Sequence, residues 1–279
     1  MKALSSAILK TLAYADSFDY PLTSNEIWYW LITPYFFSLA EVKKKLIELK
    51  KQGRISQKEK YYFLSGREEI TLLREQREKF SKPKLEIAQK TVAKLKTIPF
   101  IKMIGVSGAL AMNNARKDDD IDLMIITAKN QLWLSRIIIF LLSAVLGIKR
   151  RKPADREVKD KICFNLFLDE NQLKVEPENL FLAHEICQLK PLYNKDQTYE
   201  KFLYVNQWVK KFLPNVRKKF VHQRMKPKNS WFDCFFIILN KIAFWLQYQY
   251  MKPKMTTEKV GLHQAFFHPR RTRAKSASP

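Results

Sequence analysis

Three short apolar runs, FIKMIGV, DIDLMIIT and ICFNLFL, fall between residues 100 and 169, and the segments between them have a different period. Each run is too short for a buried helix and is rich in β-branched or aromatic residues, so each reads as a strand. ALAMNNA after the first reads as a short helix, and the apolar stretch 132–148 after the second as a long buried one. Strands alternating with helices in this way form an α/β unit with a small sheet. This unit restricts the rest of the chain to elements that cover its faces or extend its edges.

The residues before it punctuate differently. Ile8, Leu9, Leu12 and Ala13 mark one face of a first helix, and DSFDYPLT turns the chain. Thr23 with Glu26, and Ser38 with Glu41, are capping boxes that open two further helices, the second closing at Gly53 with lysines in its last turn. RISQKEKYYFL then reads as a hairpin around 57–60. Three helices followed by a hairpin is the order of a winged helix. Lys43, Lys44, Lys45, Lys50 and Lys51 on its third helix, with Arg54, Lys58 and Lys60 on the hairpin, would set cations along a nucleic-acid backbone. Protein docking and plain solvation of a charged face are the competing readings. The net charge of +24 makes a polyanionic partner the leading expectation.

In a chain this basic, the acid run DDDID stands out. Side chains two apart on a strand share a face, so Asp120 and Asp122 lie side by side while Ile121, Leu123 and Ile125 face the core. Two adjacent carboxylates repel unless neutralised, and a hard divalent cation, Mg²⁺ or Mn²⁺, does so while leaving positions for triphosphate oxygens. Gly108, at the junction of strand and helix, lets backbone N–H groups approach a phosphate. Asp118 and Asp119 are also consistent with an ordinary turn.

Gly108 and Ala109 followed by Asp120-Ile121-Asp122-Leu123 resemble the G-S…D-x-D signature of the polymerase β-type nucleotidyltransferase superfamily, over roughly residues 100–169. The upstream pattern is similar to the winged helix fused to bacterial and archaeal nucleotidyltransferase-domain proteins whose acceptors are unassigned. The resemblance implies that Asp120 and Asp122 hold the metals carrying a nucleoside triphosphate, and that Gly108 and its neighbours hold the phosphates. Two positions depart from the pattern. Ala109 replaces the serine, with Ser107 available to substitute, and the polar residue inside the third strand is Asn165, which cannot act as a base. Asp160 and Asp169 flank that strand and could stand in for the third acid only in another register.

The expected fold is therefore mixed α+β and α/β: a winged helix (1–66), connecting helices (67–98), a nucleotidyltransferase-like domain with a small mixed sheet (99–170), a helical bundle (171–265) and a disordered basic tail (266–279). The expected function is transfer of a nucleoside monophosphate to RNA, protein or a small molecule. The alternative is a catalytically inactive relative acting through the winged helix as a nucleic-acid-binding or regulatory protein. Residues 137–148 are too few to span a membrane, and 231–251 carry Asp233, Asn240, Lys241, Gln247 and Gln249, so a packed helix is expected there and membrane contact is not. Three cysteines without a C-x-x-C pair fit a reducing cytoplasm. His184 with Glu185 lacks a second histidine at helical spacing and reads as a hydrogen-bonded helix residue.

Overall fold

The computed structural model describes residues 2–152, 155–216, 231–255 and 258–267. The basic tail lies outside them from residue 268 onward. The N-terminal module consists of α1 (Lys2–Asp16), β1 (Leu22–Thr23), α2 (Ser24–Tyr29), α3 (Leu39–Lys51), β2 (Ile55–Lys58) and β3 (Tyr61–Leu64), with an antiparallel sheet ordered β1-β3-β2. Both capping boxes form: Thr23 and Ser38 accept from the backbone of Glu26 and Glu41, whose carboxylates accept in return. Gly53 ends α3 at φ +69°, the left-handed conformation a helix C-terminus favours in glycine.

α4 (Ile70–Leu95) is one helix of 26 residues that runs through Pro83, where connecting helices were expected over 67–98. Proline inside a helix costs a hydrogen bond, and tertiary anchors on either side hold the helix together. Arg74 donates to Glu26 (2.8 and 2.9 Å) and Pro21 O (2.6 Å), Arg77 to Asp19 (3.0 Å), and Lys84 to Asp160 (2.7 Å) and Asp119 O (2.6 Å). α4 thus ties the N-terminal module to the acidic turn.

The second sheet contains β4 (Ile101–Val106), β5 (Ile121–Thr127), β6 (Ile162–Asp169), β7 (Lys190–Asn194), β8 (Lys259–Val260) and β9 (Gln264–Phe266), in the order β7-β4-β5-β6-β9-β8. Only β5 and β6 pair in parallel, across the helix α6 (Leu132–Val145); α5 (Gly108–Ala111) joins β4 to β5. The remaining helices are α7 (Leu180–Gln188), α8 (Thr198–Val205) and α9 (Trp231–Met251), giving nine α-helices among the described residues.

The C-terminal region differs from the helical bundle expected of it, because β7, β8 and β9 join the sheet. KPLYN forms an outer strand, where proline, which has no N–H to give the ladder, is tolerated. α9 packs on α6, and its Asn240 Oδ1 accepts from Trp133 N (2.8 Å) and Leu134 N (3.2 Å), capping α6 from outside. Its outer face leaves Phe235, Ile238, Ile242 and Trp245 exposed, although no described helix is long and apolar enough to cross a membrane.

Both faces of the sheet are covered. Ile121, Leu123 and Ile125 join Val92, Trp133 and Phe167 in one core, as the period of two requires. Met124 and Ile126 face the other way, into a core shared with α1, α2, α7 and α8. Asp120 and Asp122 lie in phase with Met124, so they face the N-terminal module.

Candidate active site

The two carboxylates are positioned by backbone bonds on both sides. Ile121 N donates to Lys161 O (2.9 Å), and Ser107 N donates to Asp122 O (3.1 Å). The parallel register of β5 and β6 sets Cys163 opposite Asp122. One ligand atom each from Asp120, Asp122 and Cys163 lies within 4.8 Å of the other two.

Gly108 sits at φ +63°, and a Cβ there would lie 3.0 Å from Asp122 Oδ2. A side chain there would be strained by the backbone and would press on the carboxylate, so glycine is favoured for two independent reasons. Ser107 is buried beside it, and Asn165 Nδ2 donates weakly to Ser107 Oγ at 3.5 Å. Between Leu123/Phe164 and Met124/Leu166 the register shifts, which makes Asn165 the extra residue of a bulge. Ala109 is exposed at the rim of the same turn.

Burial, then the neighbouring Asp122 carboxylate, raises the pKa of Asp120 above the usual range; Arg151 opposes both. Arg151 Nη1 donates to Asp120 Oδ2 at 2.7 Å, because its segment runs beside β6 with Arg151 N donating to Ile162 O (2.9 Å). Burial and the two aspartates push the Cys163 thiol far up. The two carboxylates offer hard oxygen donors of the kind Mg²⁺ or Mn²⁺ takes, and Cys163 Sγ is the third atom of the cluster.

The flanking acids are engaged elsewhere. Asp160 pairs with Lys84, and Asp169, at the far end of β6, lies 2.8 Å from His263 Nδ1. Asp119 accepts from Arg116 N (2.7 Å), the turn role open to it in the sequence.

The carboxylates open onto a cavity of about 410 Å³ lined by the N-terminal module (Tyr14, Phe18, Tyr20, Trp30), the Ser107–Gly108 turn and α7 (His184, Glu185, Gln188). His184 is buried, stacks on Tyr14 at 4.2 Å between ring centroids, and has its Nδ1 3.3 Å from Gln188 Nε2. Burial pushes its pKa down to about 3, so the ring is neutral. The cations expected to contact nucleic acid do not line this cavity. Lys43, Lys44, Lys50, Lys51, Arg54, Lys58 and Lys60 are exposed, whereas Lys45 is buried and paired with Glu48, which removes it from that set.

Sequence reasoning missed Cys163 and the aromatic wall, and did not single out Arg151 within the basic segment 149–161. Only the parallel register reveals Cys163, and nothing local distinguishes Arg151 from its basic neighbours.

No family model matches the sequence, and no curated protein matches it. One solved structure, described as "Crystal structure of the toxin-antitoxin with AMP-PNP", aligns with 43% of this chain and 83% of that chain, at 18% identity and a TM-score of 0.28. That score is too low to establish a shared fold.

Proposed function

We propose that the protein is a divalent-metal-dependent nucleotidyltransferase that moves a nucleoside monophosphate from a triphosphate to an acceptor. The observation that carries this reading is the pair Asp120 and Asp122 on one face of β5, at a cavity mouth, with the left-handed Gly108 against Asp122. Asp120 and Asp122 hold Mg²⁺ or Mn²⁺, which when bound supplies charge neutralisation to the triphosphate. The Ser107–Gly108 turn approaches the phosphates with backbone N–H groups, and the Ser107 hydroxyl takes the role that Ala109 cannot. Asn165 holds Ser107 in place. Arg151, two-fifths exposed, leaves Asp120 for phosphate oxygens once the carboxylates have another cation.

In the transfer, an acceptor oxygen forms a bond to the α-phosphorus and the bond from that phosphorus to the bridging oxygen breaks. Pyrophosphate leaves with the electron pair, and the acceptor's proton passes to pyrophosphate or water. Asn165 cannot take that proton, and the cluster holds no third carboxylate among the described residues. Positioning and electrostatics therefore carry the rate.

Calorimetric titration of ATP, GTP, CTP and UTP with Mg²⁺, into the wild type and an Asp120→Ala/Asp122→Ala variant, tests the proposal. Metal-dependent binding that the double substitution abolishes is expected. Equal binding by both proteins, or none by either, would remove the site. The second reading, a winged helix that binds nucleic acid, rests on the exposed cations of α3 and the hairpin, which lie away from the cavity.

A further inference from the structure

α9 is polar on its inside and apolar on its outside. The polar residues that made membrane contact unexpected in 231–251 include Asn240 and Gln247, and both point inward. Asn240 caps α6, while Gln247 Oε1 accepts from Arg136 Nη1 (2.5 Å) and Gln247 Nε2 donates to Trp133 O (2.9 Å). Phe235, Ile238, Ile242, Trp245, Leu246 and Tyr250 point outward, each more than half exposed. Their spacing of three and four residues sets them in one stripe on the helix, about 22 Å long at ~1.5 Å per residue. α6, on which α9 packs, also exposes Leu141 and Val145. A stripe of this extent marks an interaction site.

The charges beside the stripe are of one sign. Residues 235–251 contain a single charged residue, Lys241, one turn before Trp245, and Lys252 follows the helix; both lysines are exposed. In the sequence, the stretch 217–230 ahead of α9 holds six lysines and arginines and no aspartate or glutamate. A second copy of this chain would bring two such positive rims together, because a two-fold contact pairs a surface with itself. A bilayer leaflet with anionic headgroups offers the opposite charge, and just beneath it an apolar layer that a helix lying in the plane reaches with one face. Tryptophan and tyrosine favour that boundary.

We propose that α9 lies flat on an anionic membrane surface, with Ile238, Ile242, Trp245 and Leu246 in the acyl boundary and Lys241 and Lys252 among the headgroups. The long stem of Lys241 lets its ammonium group reach the headgroups while the helix sits lower. No described helix is long and apolar enough to cross the membrane, so the contact is with one leaflet. α6 and α9 cover the face of the second sheet opposite to Met124, Asp120 and Asp122. The cavity therefore stays on the side away from the lipid.

Flotation of the full chain with vesicles of phosphatidylcholine alone, and of phosphatidylcholine with phosphatidylglycerol in equal parts, tests the proposal in the wild type and two variants. Ile238→Ser/Trp245→Ser removes apolar surface and keeps the charge. Lys241→Gln/Lys252→Gln removes charge and keeps the apolar surface. All four side chains are exposed, so both variants are expected to melt as the wild type does. The wild type is expected to float with the mixed vesicles and not with phosphatidylcholine alone. Binding to the mixed vesicles is expected to weaken about tenfold in the serine variant and about fivefold in the glutamine variant. A serine variant that binds as the wild type does would mean that net charge alone holds the protein to lipid, and would overturn the proposal. Equal flotation with both kinds of vesicle, or none with either, would overturn it as well. A wild type that sediments as a dimer while the serine variant sediments as a monomer would give the stripe to a second copy instead.

Discussion

Asp120 is held where its charge is unfavourable, which is the cost expected of the cation site proposed for it. Burial and the Asp122 carboxylate raise its pKa, so ionising it costs more in the folded chain than in the unfolded one. That cost is absent below the unfolded pKa of about 3.9, grows as pH rises through the folded value, and persists above it. Without metal, Asp120→Asn is therefore expected to stabilise the protein at neutral pH by about 1 kcal/mol, a Tm rise of about 2–4 °C. The gain should shrink toward zero as pH falls to about 4. Adding Mg²⁺ should raise the Tm of the wild type and not of the variant. Thermal melts across pH, with and without Mg²⁺, check all three outcomes, and a variant less stable than the wild type at pH 7 in chelator would contradict the assignment.

At the scale of elements, α4 does work that its sequence concealed. Only connecting helices were expected there from the sequence. Arg74 is buried between the Tyr20 and Tyr61 rings, at 4.3 and 4.6 Å, and makes a two-pronged pair with Glu26. Glu26 is the same residue that closes the capping box of α2, so one carboxylate serves a helix cap and a tie between α2 and α4. Arg74→Ala leaves that carboxylate half-buried without its cation, and is expected to cost about 3 kcal/mol in urea unfolding. The Arg74→Ala/Glu26→Ala double variant should lose less than the sum of the two single losses. Additivity within experimental error would mean that the two residues act separately.

Across the whole molecule, charge is partitioned by location. The cavity is acidic, whereas the exposed cations of α3 and the hairpin face elsewhere. A protein of this net charge attracts polyanions in low salt whatever its function. Lys43→Glu, Lys44→Glu and Lys51→Glu together should flatten the slope of log K against log salt for duplex DNA by about 3. Mg²⁺–nucleotide titration of the same variant should match the wild type. A parallel loss of nucleotide binding would mean that the two surfaces are one.

Local rules determined a definite part of this protein. Capping boxes, the strand period of two and the D-x-D spacing are interactions between residues a few positions apart, so the helices of the N-terminal module, β4 to β6, and the shared face of Asp120 and Asp122 were legible before any tertiary contact was known. The α4 helix through Pro83, the strands β7 to β9, Arg151 at Asp120, Cys163 opposite Asp122, and the cavity between α1 and α7 depend on residues far apart in the chain. Their partners are chosen by sheet register and by which face of the sheet each helix covers. Those choices are made only when the two cores close, and the surroundings of Asp120 and Asp122 are set there.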